Sequence, residues 1–254
     1  GVRGRRINLD DEPIYPRGVL HWLSYPDQVG PAPDRTTIRR EIEQMQALGY
    51  SMIKLCLVVP PESYFEIADE LGMMLWLELP MWLPSVDEEY RERAKTEYRR
   101  ILRRVRNHPS IVMYTLGCEL SSEADAVFLR ELYDIVKDET HAALVRDNSG
   151  SAECYGGVDL EFADYHDYHF YAEAPVFTDL LDYFIPAYKS VKPLVFGEYC
   201  DSDTFRSVAE VKRRLGRDLY WSHDNPLSNP QGVRWDYNVV TNEERLASID
   251  LDID

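Results

Sequence analysis

The chain has 254 residues, 44% hydrophobic and 12% aromatic, with a formal net charge of -17. That length suits a single globular domain with a large core, and one α/β barrel occupies about this length. The acidity argues against a nucleic-acid partner, because phosphates would be repelled. No apolar run approaches the roughly 18 residues of a membrane span, so a membrane is not an expected partner either.

Four cysteines, Cys56, Cys118, Cys154 and Cys200, show neither CxxC pairing nor zinc-ligand spacing. Three lie in or beside apolar segments, where a free cysteine behaves as a small buried hydrophobe. The chain starts at Gly1 without a signal sequence, so it reads as a piece of a longer protein. Localisation and oligomeric state stay open.

Residues 1–12 are basic and then acidic, with a turn over Asn8-Leu-Asp-Asp-Glu-Pro13. Residues 14–20 read as the first apolar strand, running into His21-Trp22 and a Pro/Gly/Asp loop. Asp34 and Thr36 are candidate N-caps of a helix through Leu48, whose apolar Ile38, Ile42, Met45 and Leu48 fall at helical spacing. Gly49 ends it. Residues 52–59 read as the second strand, stopped by Pro60-Pro61, and 62–71 as a helix closed by Gly72. Residues 73–79 form the third strand, with Glu78 near its tip, and 87–106 a long charged helix leaving through Asn107-His-Pro-Ser110.

The fourth strand, 111–117, precedes a helix over 122–137. Residues 142–145 read as a weak fifth strand, 162–171 as a sixth, 177–190 as a helix, 194–196 as the seventh strand and 207–215 as another helix. Such alternation implies parallel strands with helices outside. A doubly wound sheet also alternates, but its Gly-rich phosphate turn after the first strand is absent. The expected fold is therefore a (β/α)8 TIM barrel. After Leu215 the alternation stops. Residues 216–254 read as irregular and loop-rich, with Gly232-Val-Arg-Trp-Asp236 a weak candidate eighth strand, so the barrel is expected to be truncated before that strand.

Two apolar runs end on glutamates, Ser110-Ile-Val-Met-Tyr-Thr-Leu-Gly-Cys-Glu119 and Pro193-Leu-Val-Phe-Gly-Glu198. A carboxylate at the C-terminal tip of a barrel strand sits where such folds keep their chemistry. A retaining glycosidase needs two carboxyl groups about 5 Å apart. Alternatively, each glutamate is a solvated helix-start residue favoured by the dipole.

Arg106-Asn-His-Pro-Ser-Ile-Val-Met-Tyr-Thr-Leu-Gly-Cys-Glu119 resembles the acid/base signature of glycoside hydrolase family 2, and Lys192-Pro-Leu-Val-Phe-Gly-Glu-Tyr199 resembles its nucleophile strand. Pro13-Ile-Tyr-Pro-Arg-Gly-Val-Leu-His21 is similar to its first barrel strand. The run from Met45 through Gly49-Tyr50 to Phe65, Asp69-Glu70 and Gly72 is similar to its second βα unit. The resemblance covers roughly residues 5–200. It implies a retaining β-glycosidase of the β-galactosidase, β-glucuronidase and β-mannosidase kind, with Glu119 as acid/base, Glu198 as nucleophile, a carbohydrate substrate and no cofactor. It also implies a β-sandwich domain before the barrel, from which residues 1–12 would be the exit. Three positions depart from the pattern. Cys118 stands where the family has an asparagine for the sugar 2-hydroxyl, Lys54 where it has an arginine, and the apolar Leu57-Val58 region where a histidine usually follows.

The sixth-strand segment carries Asp164, His166, Asp167, His169 and Tyr171. Residues two apart share a face, which groups Asp167, His169 and Tyr171. The resemblance makes His169 and Tyr171 contacts of nucleophile or sugar. The residues alone also allow plain packing or, less favoured because no separate ligand cluster completes it, a metal site. Trp22, Trp82 and Trp235 are candidate sugar platforms, and Trp76, mid-strand, reads as core. His21 and Glu78 are further candidate sugar contacts, and His108 reads as structural. Two other functions compete: a non-catalytic carbohydrate-binding barrel, and a metal-dependent hydrolase built on the sixth-strand cluster.

Overall fold

The computed structural model describes residues 1–25, 33–141, 143–150, 157–170, 174–199, 208–218 and 241–247. The chain divides into two compact units: residues 1–170 with 189–198, and residues 171–188 with 199–254.

The first unit opens with an antiparallel sheet of β1 (Val2–Arg3), β2 (Arg6–Leu9) and β3 (Glu12–Ile14). Leu9 pairs with Glu12 across the two-residue turn Asp10-Asp11, both at positive φ, which matches the twist of a tight hairpin. The expected turn is there, and it joins two antiparallel strands. The first apolar run is likewise interrupted around Pro16, which has no N–H to donate, and barrel pairing starts only at β4 (Gly18–His21).

Four parallel strands follow β4 in one sheet, in the order β5 (Met52–Leu55), β6 (Met74–Glu78), β7 (Ile111–Thr115) and β8 (Leu144–Arg146). The connecting helices are α1 (Arg35–Ala47), α2 (Glu62–Leu71), α3 (Glu88–Val105) and α4 (Ala126–Thr140). Asp34, Asp87 and Asp125 cap α1, α3 and α4 by accepting from first-turn backbone N–H groups. Helix α4 starts four residues later than expected because its cap is Asp125 rather than a residue near Ser122. Gly72, in the left-handed region, terminates α2. β5 is shorter than the apolar run that suggested it, since Leu57 turns the chain at positive φ. A third sheet pairs β9 (His166–Phe170) with β10 (Leu194–Tyr199).

Strand alternation sorts the core into two clusters. Ile53, Leu55, Leu75, Leu77, Tyr114 and Val145 belong to the large cluster shared with the helices. Met52, Trp76, Met113, Leu144 and Tyr165 form the smaller one, joined by Ile7 of β2. Two residues further along each of these strands or segments, the same face turns polar: Lys54, Glu78, Thr115, Arg146 and Asp167 are all buried. This polar layer is the floor of the site.

The second unit contains α5 (Ala174–Ala187), α6 (Val208–Leu215) and α7 (Asn242–Ala247). The rings of Phe177 and Tyr199 stack at 5.1 Å. Helix α7 lies in the stretch read as loop-rich. Thr241 and Glu244 exchange hydrogen bonds between side chains and backbone N–H groups, a capping box legible as Thr241-Asn-Glu-Glu244. The candidate eighth strand, Gly232–Asp236, lies outside the described residues.

Candidate active site

Past the polar layer, backbone links lock the strand exits together. Cys118 N donates to Met81 O (2.9 Å), Ser149 N to Gly117 O (2.9 Å) and Glu119 N to Ser149 O (2.7 Å). The side chain of Asn148 accepts from Leu120 N at 2.8 Å and so fixes the residue after Glu119. Leu23, Leu57, Leu83 and Glu119, all beyond the C-terminal ends of β4 to β7, have positive φ. Non-glycine residues held there cost on the order of 1–3 kcal/mol each and gather at functional sites.

Glu119 and Glu198 come together through His169. One atom from each of Glu119, His169 and Glu198 lies within 4.8 Å of the others. His169 Nδ1 is 3.1 Å from Glu119 Oε1, and its Nε2 is 2.7 Å from Ser149 Oγ and 3.5 Å from Glu198 Oε1. The Trp82 indole N–H donates to Glu119 Oε2 at 3.1 Å while the ring stays 55% exposed. Gly150 lets the backbone pass close to His169, because a Cβ there would sit 2.8 Å from Nδ1.

Lys54 is fully enclosed and donates to Ser149 Oγ at 2.8 Å and Glu198 Oε1 at 3.3 Å, with Glu78 Oε2 at 2.9 Å. Burial opposes its charge, but the fields of Glu78, Asp167 and Glu198 outweigh that and hold the ammonium well above its ordinary pKa. Asp167 accepts from Gly197 N at 2.7 Å, beside Glu198, and burial raises its pKa against the pull of Lys54 and His169.

Beneath Glu119, Cys56 donates to Glu78 Oε1 at 3.1 Å, and its sulfur lies within 4.8 Å of the Cys118 sulfur. The contact with Cys56 and burial both push the Cys118 thiol far up.

Most of the expected site residues converge. Glu119, Glu198, Lys54, Glu78, Cys118, His169 and Trp82 share this cluster, with Glu78 fully enclosed beneath it. His21 is placed differently: its Nε2 meets Glu41 of α1 and its Nδ1 accepts from Leu23 N, so both ring nitrogens are engaged within the scaffold. Trp22 is exposed, and Trp76 is core, its N–H on Thr115. His108 is structural, as expected: it stacks on Phe65 at 5.2 Å and contacts Asp69 and Glu62 of α2. Tyr171 and Trp235 lie outside the described residues.

The sixth-strand metal set does not assemble. Asp164 accepts from Tyr133, Lys137 and Val145 N, and His166 contacts Asp159 and Ser190. Among the described residues, only His169 of that cluster joins a group of convergent donors. Sequence reasoning passed over Cys56, Asn148 and Ser149. The signal for the last two was a polar run, Arg146-Asp-Asn-Ser149, directly after an apolar strand.

Residues 1–211 match the family profile described as "Glycosyl hydrolases family 2, TIM barrel domain". The β-galactosidase of Thermoanaerobacter pseudethanolicus is 27% identical over 131 residues, 51% of this chain and 17% of that protein. Beta-galactosidase 2 of Enterobacter cloacae is 29% identical over 129 residues, 44% of this chain and 12% of that protein. The chain thus matches under a fifth of the length of these curated relatives. Among solved structures, Bacteroides uniformis beta-glucuronidase 3 superposes with a TM-score of 0.67 at 20% identity, covering 81% of this chain and 28% of that one. A β-galacturonidase from Eisenbergiella tayi bound to galacturonate gives 0.63 at 19% identity, covering 78% and 38%. The fold is the α/β TIM barrel.

Proposed function

This chain belongs to glycosyl hydrolase family 2, and on that premise we propose that it is a retaining glycosidase cleaving β-glycosidic bonds by double displacement. The observation that carries the reading is the close approach of Glu119 and Glu198, one oxygen of each lying within 4.8 Å of the other at the strand tips. Retaining enzymes hold their carboxyl groups about 5–5.5 Å apart, whereas inverting enzymes leave about 6.5–9.5 Å for a water.

Glu198 attacks the anomeric carbon and forms a glycosyl ester. Glu119 first protonates the leaving oxygen and then takes a proton from the attacking water. Lys54, held charged by its neighbours, aims the Glu198 carboxylate, and Trp82 and His169 fix that of Glu119. Exposed Trp22 and Trp82 offer apolar faces to a sugar ring. The substrate is a β-linked carbohydrate, and this chemistry needs no cofactor.

Proton NMR of aryl β-glycoside hydrolysis tests the proposal. The β-anomer of the free sugar forms first if it holds, and an α-anomer forming first overturns it. Sugar binding without turnover on any glycoside favours a non-catalytic binding barrel instead.

A further inference from the structure

The donors beneath Glu119 do not resemble an ordinary sugar pocket. Cys56, Glu78, Cys118 and Glu198 each present one ligand atom, all within 4.8 Å of one another. The ligand atoms of a tetrahedral zinc ion lie about 3.3–3.8 Å apart, given bonds of about 2.0–2.3 Å. Side-chain rotations of less than about 1.5 Å would close that gap. Two sulfurs and two carboxylate oxygens suit a thiophilic divalent ion and discriminate against magnesium and calcium.

We propose that Cys56, Cys118, Glu78 and Glu198 form a binding site for a thiophilic divalent cation of the zinc and cadmium class, and that its occupancy ties up Glu198. The charge balance permits this in a buried place. The ion brings two positive charges and displaces the two thiol protons to solvent, so the net charge around Lys54 does not change. Lys54 lies on Glu78 Oε2 and Glu198 Oε1, and because an ionised carboxylate has about four acceptor sites it can hold the ammonium and the ion together. The two sulfurs lie within 4.8 Å of each other and Cys56 already points its S–H at Glu78, so the donors face a common point before any ion arrives. The inhibitory half of the proposal rests on Glu198 being the nucleophile; the binding half does not.

The test is titration of the reduced, chelator-treated protein with cadmium alone. One equivalent is expected to raise a sulfur-to-metal charge-transfer band in the ultraviolet. The band is lost in Cys56→Ser and in Cys118→Ser and kept in a Cys154→Ser/Cys200→Ser double variant. Should the single variants fail to fold, cadmium-113 NMR of the unaltered protein decides, with the proposal requiring the shift of a two-sulfur, two-oxygen site. Absence of the band, its survival in either Cys56→Ser or Cys118→Ser, or a shift of another donor set overturns the site. Glycoside turnover is expected to be lost as the band saturates and to return with chelator. Turnover unaffected by bound metal overturns the inhibitory half. A protein that turns over no glycoside at all sinks the functional reading, while the cadmium band still decides the site.

Discussion

At the residue scale, Lys54 makes the site possible. It lies among three acidic side chains, and its ammonium contacts both Glu78 and Glu198 and so offsets the repulsion between them. Removing one member of a buried ionic set leaves the others uncompensated and costs about 3–5 kcal/mol. Lys54→Met is therefore expected to lower the urea midpoint by a corresponding amount; a variant as stable as the parent would contradict this role. The glutamates were legible because each ends an apolar run, a local pattern. The partners of Lys54 were not, since Ser149 lies 95 positions away and Glu198 144. Cys56 and Cys118 met the same obstacle: only the parallel register from β5 to β7 brings them together, and no spacing within the sequence announces it.

At the element scale, helices were the most readable feature, because caps and apolar stripes are both local. Asp34, Asp87 and Gly72 stand at the termini that their types suggest. Strand limits were less readable, because tertiary turns at Leu57 and Pro16 cut runs that composition left continuous. The Asn107-His-Pro-Ser110 turn shows how one element positions another. His108 binds Asp69 and Glu62, and Asp69 accepts from Ser110 N at 2.9 Å, tying α2 to the start of β7 and hence to Glu119. Burial opposes protonation of His108, but the hydrogen bonds to Asp69 and Glu62 outweigh it and raise its pKa above 6.5. A raised histidine pKa contributes stability that is fully present below the unfolded value and is lost as pH rises through the folded one. The stability gap between the parent and His108→Gln is thus expected to be larger at about pH 6 than at about pH 9 in urea unfolding. A gap that widens with pH would contradict the assignment.

At the scale of the whole molecule, the net charge of -17 is the dominant feature. Such an excess strains the compact state through self-repulsion, which salt screens over a Debye length of about 10 Å at 0.1 M. Melting temperature is expected to rise as sodium chloride is added from low ionic strength, and a fall would show that the surface ion pairs outweigh the repulsion. The unit formed by residues 1–170 and 189–198 carries both glutamates and every other described member of the site.

The most direct test is the configuration of the products formed in azide, using Glu119→Ala and Glu198→Ala with an aryl β-glycoside of activated leaving group. With Glu119 as acid/base and Glu198 as nucleophile, azide rescues Glu119→Ala as a β-glycosyl azide and Glu198→Ala as an α-glycosyl azide. The opposite pairing, or rescue of neither variant in a protein whose parent turns over, would contradict the account.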